Sequence, residues 1–391
     1  MNEQKNTKYS VLEYVIIAII CISIVAMFFS FQKREFSFSA YESSNLEYVR
    51  AEVLEVLESE TSDERGYTTG YQKLKVEILE GKAKGRIVEI ENYITVVHNV
   101  ELKKGSSFIV CADVPEGIEP MFSVYNYNRT PALLVIMLLF VGTVTLIGRK
   151  KGLLSCLGLL FTLCTVVCCL IPSLFEGGNT FWSTFLAMLA STAVSCFCIG
   201  GISRKTLNNI YCTLLGVGAA CLIYFIFTLI LNITCSGLEE AEMLSLISNV
   251  TGLDITGILF AGVAVSTLGA VMDVAVSMGA SLHEIRTVDP SITPRDLFVS
   301  GMNIGRDMIG TMTNTLILAF AGGTLATLMV LVSYGVQFNQ LMSSDFIAME
   351  MAAGFAGSIG IVLTVPISAF VGSYIMKPKK KNANRRKKHE R

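Results

Sequence analysis

Asp273, Arg306 and Asp307 occupy long apolar runs or their edges, where an ionised side chain is costly in hydrocarbon and normally faces protein or water. With Asp254, His283, Glu284 and Arg286 they concentrate the intramembrane chemistry of the chain in two consecutive segments and the connection between them. On the first segment Ser266, Asp273, Ser277, Ser281 and Glu284 recur at intervals of three, four or seven, so they share one helical face, bordered by Gly269, Ala270 and Ala280. On the second, Asn303, Asp307, Thr311 and Asn314 repeat in the same way, with Arg306 and Gly310 beside them. Asp273 and Asp307 are suited to accept a cation or a proton, and Asn303, Thr311, Asn314 and Ser277 to supply neutral oxygens. A short connection makes the two helices neighbours, so the stripes are expected to face each other across a hydrated cavity, with Arg306 paired to Asp273. The competing reading is helix-to-helix glue, because Ser, Thr and Asn hydrogen-bond between membrane helices and charge near a helix end reaches the headgroups. Asp273, several turns into an apolar run, fits that reading least.

Other chemistries fit poorly. Two intramembrane aspartates raise a protease dyad, in which paired carboxylates share a proton. However, Ile304-Gly305-Arg306-Asp307 lacks the second glycine arrangement expected there, and no tyrosine precedes Asp273. His283-Glu284 opens like a zincin helix but has no second histidine at helical spacing. Nine of the eleven cysteines lie in apolar runs and read as packing residues; Cys168-Cys169 and Cys196-x-Cys198 lack a second pair at zinc spacing. Cys111 and Cys235 fall in polar segments, which leaves a single bridge between them open. There is no phosphate-binding loop, dinucleotide motif or kinase signature. No catalytic residue, metal or cofactor is therefore expected, and any energy source would be an ion gradient or a separate subunit.

The elements that must position these residues are membrane helices. Of 391 residues 52% are hydrophobic and 16% charged, far from the balance of a soluble chain. About 20 apolar residues cross a bilayer, and eight segments qualify: Val11–Phe31, Pro131–Gly148, Gly152–Leu174, Thr180–Ile202, Leu207–Leu231, Ile255–Gly279, Ile304–Leu331 and Met351–Ile375. Thr130 and Pro131 suit an N-cap and first turn. Small residues at Ser37–Ala40 raise a cleaved leader, but the first run is long and followed by Gln32-Lys33-Arg34, which favours an uncleaved anchor. Lys5, Lys8, Arg149–Lys151, Arg204, Lys205, Arg286, Arg295 and the tail from Lys377 to Arg391 fall on one side of this arrangement. The alternate connections carry Glu176, Glu239, Glu240, Glu242, Asp345 and Glu350 without Lys or Arg. Both termini are thus expected in the cytoplasm and residues 32–130 outside it.

Residues 32–130 change to polar, period-two alternation: Val49, Ala51 and Val53; Leu74, Val76 and Ile78; Phe108, Val110 and Ala112. Turn glycines separate the runs. About five short strands point to a small all-β, OB-like barrel, with a sandwich as the alternative. The expected architecture is an all-α polytopic membrane bundle of about eight helices with this extracytoplasmic domain inserted after the first. Its divisions are residues 1–31, 32–130, 131–376 and a basic tail 377–391.

Arg295–Val299, after Pro290 and Pro294, is expected as a short amphipathic helix on the cytoplasmic face or as a simple connector. The tail is suited to anionic lipid headgroups and has no folded surface for nucleic acid. Small residues at four-residue intervals, Ala187, Ser191 and Ser195 and then Ala353 and Gly357, imply close helix packing, within the bundle or in a homo-oligomer.

Leu268-Gly269-Ala270-Val271-Met272-Asp273-Val274-Ala275-Val276-Ser277, with Glu284-Ile285, and Gly305-Arg306-Asp307-Met308-Ile309-Gly310-Thr311, with Asn314-Thr315-Leu316, resemble the YibE/F family of bacterial multispan proteins. The resemblance extends over nearly the whole chain, the first span and β domain matching the E-like part and the later spans the F-like part. It implies a bacterial cytoplasmic membrane and two parts that work together, and it places Asp273, Arg306, Asp307 and Asn314 in the family's motifs without assigning a reaction. The expected function is a transporter or channel for a small solute or ion, the alternative a scaffold that presents the β domain to an envelope partner.

Overall fold

The computed structural model describes residues 11–33, 46–64, 67–115, 117, 119–233, 247–248 and 252–375. The basic tail, the acidic residues Glu239, Glu240 and Glu242, the leader-like Ser37–Ala40 and Cys235 lie outside them; Cys111 is a free thiol. The chain divides into two compact units, Phe36–Thr143 and Met1–Glu35 with Val144–Arg391.

The first unit is an antiparallel half-barrel of β1 (Leu46–Glu64), β2 (Tyr67–Ile78), β3 (Ile87–Ile94), β4 (Ser107–Asp113) and β5 (Met121–Tyr127), in the order β3-β2-β1-β4-β5. The long β1 serves both halves. Leu46–Glu52 pairs with β4, whereas its later part pairs with β2 alone. Register shifts at Val53/Glu55 and Val56/Glu58 bend the strand between these tasks. The outer strands β3 and β5 approach each other, so the sheet curls over one core. All nine apolar residues singled out by alternation are buried in it.

A buried amide pair holds the β3–β4 connection over that core. Gln72 and Asn92 are cross-strand partners. Gln72 Oε1 accepts from the Leu102 amide at 3.0 Å, and its Nε2 donates to the Leu102 carbonyl at 3.1 Å. Asn92 Nδ2 donates to the Val100 carbonyl at 2.7 Å and to Gln72 Oε1 at 3.2 Å. Val100 and Leu102 are thereby seated in the core. Past Gly70, β1 and β2 continue as a two-stranded ribbon in which Thr61–Glu64 oppose Tyr67–Gly70. Gly70 has φ +152°, and a Cβ there would overlap the Glu60 carbonyl, so only glycine lets the strands approach.

The helices are α1 (Val11–Gln32), α2 (Thr130–Thr165), α3 (Ile171–Phe175), α4 (Thr180–Gly200), α5 (Arg204–Leu231), α6 (Ile255–Val288), α7 (Pro294–Gly323), α8 (Leu325–Ser333), α9 (Phe338–Met342) and α10 (Asp345–Phe370). Among the described residues six helical runs are long and apolar enough to cross a membrane, and α7 with α8, bent by 51°, makes a seventh if counted as one span. One run, Thr130–Phe175, has 46 residues, or about 69 Å at helical rise, against a hydrocarbon core of about 30 Å. It is interrupted at Arg149 (φ 51°, ψ −136°), inside the basic break between two expected segments.

Several boundaries differ from expectation: α6 runs on to Val288, past the expected Gly279, and two later helices start early. Arg295–Val299 is neither a separate surface helix nor a loop but the opening turns of α7, which starts ten residues before Ile304. Pro294 suits a first turn, and Thr293 caps it by accepting from the Asp296 amide at 3.1 Å. Nothing from there to Ile304 breaks the helix; Gly301 seats Leu282 and Ala369 instead. Likewise α10 begins at Asp345, before Met351, and ends in a π turn at Val371–Ile375 after Pro366.

The bundle centre is α5, α6 and α10. A Cβ on Gly360 would lie 2.6 Å from the Ala220 Cβ, and one on Gly216 would strike Thr364 and Val271. Ala187, Ser191 and Ser195 are buried within the chain, and Gly357 faces Thr267 and Leu316, so these small residues serve packing inside the bundle.

Candidate polar path on α6 and α7

Each of the two helices has a packing side and an opposite side. On α6 the core takes Leu268, Val271, Ala275, Met278 and Leu282. About half a turn away Ser266, Gly269, Asp273 and Glu284 are exposed, with Ser277 and Ser281 half-buried at the margin. On α7 Gly301, Gly305 and Leu316 are buried against α6 and α10. Asn303, Arg306, Asp307, Thr311 and Asn314 are exposed on the other side. Every site residue expected from the sequence therefore lies on the outward side or margin of α6 and α7.

Contacts fix how the stripes align. Gly301 meets Leu282, and fifteen residues further along both antiparallel helices Leu316 and Thr267 meet over Gly357. That register sets Gly310 and Thr311 level with Asp273, and Arg306 and Asp307 about 5 Å along the axis from it. The expected Arg306–Asp273 pair is not formed: Arg306 Nη1 donates to Asn303 Oδ1 at 3.1 Å. Among the described residues Asp273 and Asp307 have no hydrogen-bond or ion-pair partner. Thr311 and Ser266 bond back to their own helix, to the Met308 and Val263 carbonyls at 3.0 and 3.1 Å.

The hydrated cavity expected between α6 and α7 is not where the stripes are. Their mutual contact is apolar, and three cavities among the described residues are all lined by groups other than the stripe residues. A void of about 470 Å³ lies among α4, α5 and α6, walled by groups such as Phe185, Met188 and Phe260. Another, of about 380 Å³, lies beside α1 and α3 near Ser30 and Glu176. The third, about 250 Å³, lies at the α7–α8 bend and includes Thr324 and Glu350. Sequence reasoning left Glu350 in a connecting loop; it stands in the second turn of α10, half-buried. The signal overlooked was Ser344-Asp345, a helix-start pair one turn earlier.

The connection between the two helices is short and self-bonded. Asp289 accepts from the Ser291 hydroxyl at 2.6 Å and its amide at 2.9 Å, which holds its carboxyl below the usual range. Along the stripes, by contrast, a charged group facing acyl chains would cost about 2.5–3.5 kcal/mol near mid-membrane. Asp273, Arg306 and Asp307 thus need company that the described residues do not supply. Among the described residues no three His, Cys, Asp or Glu gather to hold a metal ion.

A family model for YibE/F-like proteins matches residues 136–378, which include both stripes and the helices from the second turn of α2 onward. The chain belongs to the YibE/F family. Its long apolar helices fit a multispan membrane protein, and the match begins after the half-barrel. No curated protein and no solved structure matches the chain.

Proposed function

We propose that this YibE/F protein carries a small solute or ion across a bacterial cytoplasmic membrane along the polar face shared by α6 and α7. One observation carries the reading. In a bundle whose other spans are nearly free of charge, two adjacent helices bear level stripes of carboxylates, amides and hydroxyls on the side away from their packing contacts. Asp273 and Asp307 would bind the cation or proton, with Ser277, Asn303, Thr311 and Asn314 as neutral oxygens and Arg306 tuning the field. Ser266, Ser281 and Glu284 would extend the path along α6.

The topology proposed with it counts Thr130–Phe175 as two spans divided at Arg149 and α7–α8 as one, which gives eight. Both termini are then cytoplasmic and the half-barrel is outside. The strand order, with β3 and β5 converging, supports an OB-like barrel. Purified protein in liposomes tests the path: Asp273→Asn should abolish a flux that the parent chain supports, and a preserved flux removes that carboxylate from the mechanism. A second reading, a scaffold with no flux, is favoured by the half-barrel having its own core and a set of exposed tyrosines, Tyr48, Tyr93 and Tyr125. It requires the β unit to retain an envelope protein, and an empty pull-down counts against it.

A further inference from the structure

The outward face of α6 and α7 has more polar groups than the described residues satisfy, and their arrangement says what covers it. Gly262 and Gly269 on α6 and Gly310 on α7 open onto this face, and an added Cβ at any of them meets nothing within 4 Å. The face is therefore shallow at these three positions, a surface on which another helix can lie close. It also carries both signs of charge. Among the described residues Arg306 has only Asn303, while Asp273 and Asp307 have no partner. An apolar helix, such as the chain's own Thr130–Gly148, would bury these groups without answering any of them.

We propose that the face is covered by a second copy of this chain, related by a two-fold axis normal to the membrane. Such an axis brings equal depths together, so each patch meets itself. Arg306 of one copy then lies at the level of the partner's Asp307 and about 6 Å along the axis from the partner's Asp273, within reach of a guanidinium. The two guanidinium groups answer two of the four carboxylates. The remaining two face each other across the axis in a closed space lined by Asn303, Thr311 and Asn314 of both copies, and that is a seat for a cation or proton. This rests on the transport reading and deepens it: the path is complete only between two protomers.

The test uses the full chain, fluorescently tagged and reconstituted at high dilution in liposomes, with photobleaching steps counted per vesicle. The parent chain should bleach in two steps. Gly310→Trp, which points a bulky ring into open space without touching the chain's own packing, should bleach in one and still elute as a folded, monodisperse species. Charge exchange adds an arm specific to the pairing. Arg306→Glu and Asp307→Arg chains, differently tagged and co-expressed, should capture each other while each alone stays single. One-step bleaching of the parent chain overturns the proposal, as does two-step bleaching of Gly310→Trp or failure of the charge-exchanged chains to associate. The transport reading fails separately: two-step bleaching with no flux under any ion gradient leaves the dimer standing and removes conduction.

Discussion

Replacing Gln72 by Leu removes an amide that no other group in the half-barrel can replace. Leucine fills most of the space, so the loss is mainly in hydrogen bonds. The Leu102 amide and carbonyl, in a residue 1% exposed, both lose their partner. Asn92 Nδ2 keeps the Val100 carbonyl, and the Ser59 hydroxyl is at the surface, so neither adds much. An orphaned buried polar group costs about 1–3 kcal/mol, and two of them, with partial relief by backbone adjustment, come to about 3 kcal/mol. That is a large part of the stability of a unit this small. With a urea slope of about 1–1.5 kcal/mol/M, the midpoint should fall by about 2–3 M at unchanged slope. The assay is urea unfolding of residues 46–128 followed by tyrosine fluorescence, free of background because the single tryptophan, Trp182, lies elsewhere. A shift below about 0.5 M would refute the reasoning, because it would mean the connection is held by its apolar side chains alone.

Gly360→Val should push α5 and α10 apart, since its side chain would meet the Ala220 Cβ and the Gly216 carbonyl. Overpacking of this kind costs about 1–3 kcal/mol and should lower the thermal midpoint of the detergent-solubilised chain, while Ala at the same position should do less. On the half-barrel surface, the hydrogen bond from Arg50 holds the Glu80 carboxyl below its ordinary range. This pair contributes stability above the unfolded carboxylate pKa and loses it as pH falls through the lower folded value. Glu80→Gln should therefore slightly lower the urea midpoint near neutrality and leave it unchanged in strong acid; an equal drop at both ends would place the effect elsewhere.

The half-barrel was legible because a period of two leaves no choice of face: once Val49, Ala51 and Val53 turn inward, the register of β1 follows. The segment 95–106 was not, because Val100 and Leu102 are held by side chains from two other strands. For the helices, composition and length were enough to find the apolar runs. Their ends depended on local signals, such as the Thr293 cap, that a hydropathy window passes over. Periodicity also grouped the polar residues of α6 and α7 on one face per helix. Which way those faces point was beyond it, because Gly301 and Gly305 decide it by admitting Leu282 and Val365 so closely that the packing side is fixed opposite the stripe.

Among the described residues, the two-stranded ribbon beyond Gly70 leaves one margin of β1 without a strand beside it. Exposed amides and carbonyls in an extended row are a template on which a stray chain can grow. Along this stretch Glu58, Glu60 and Asp63 project into solvent, and Thr68 donates to Asp63 at 2.6 Å. A sister molecule approaching in antiparallel fashion would bring its own acids against them. Repulsion of like for like thus works against fibre-like stacking along this margin.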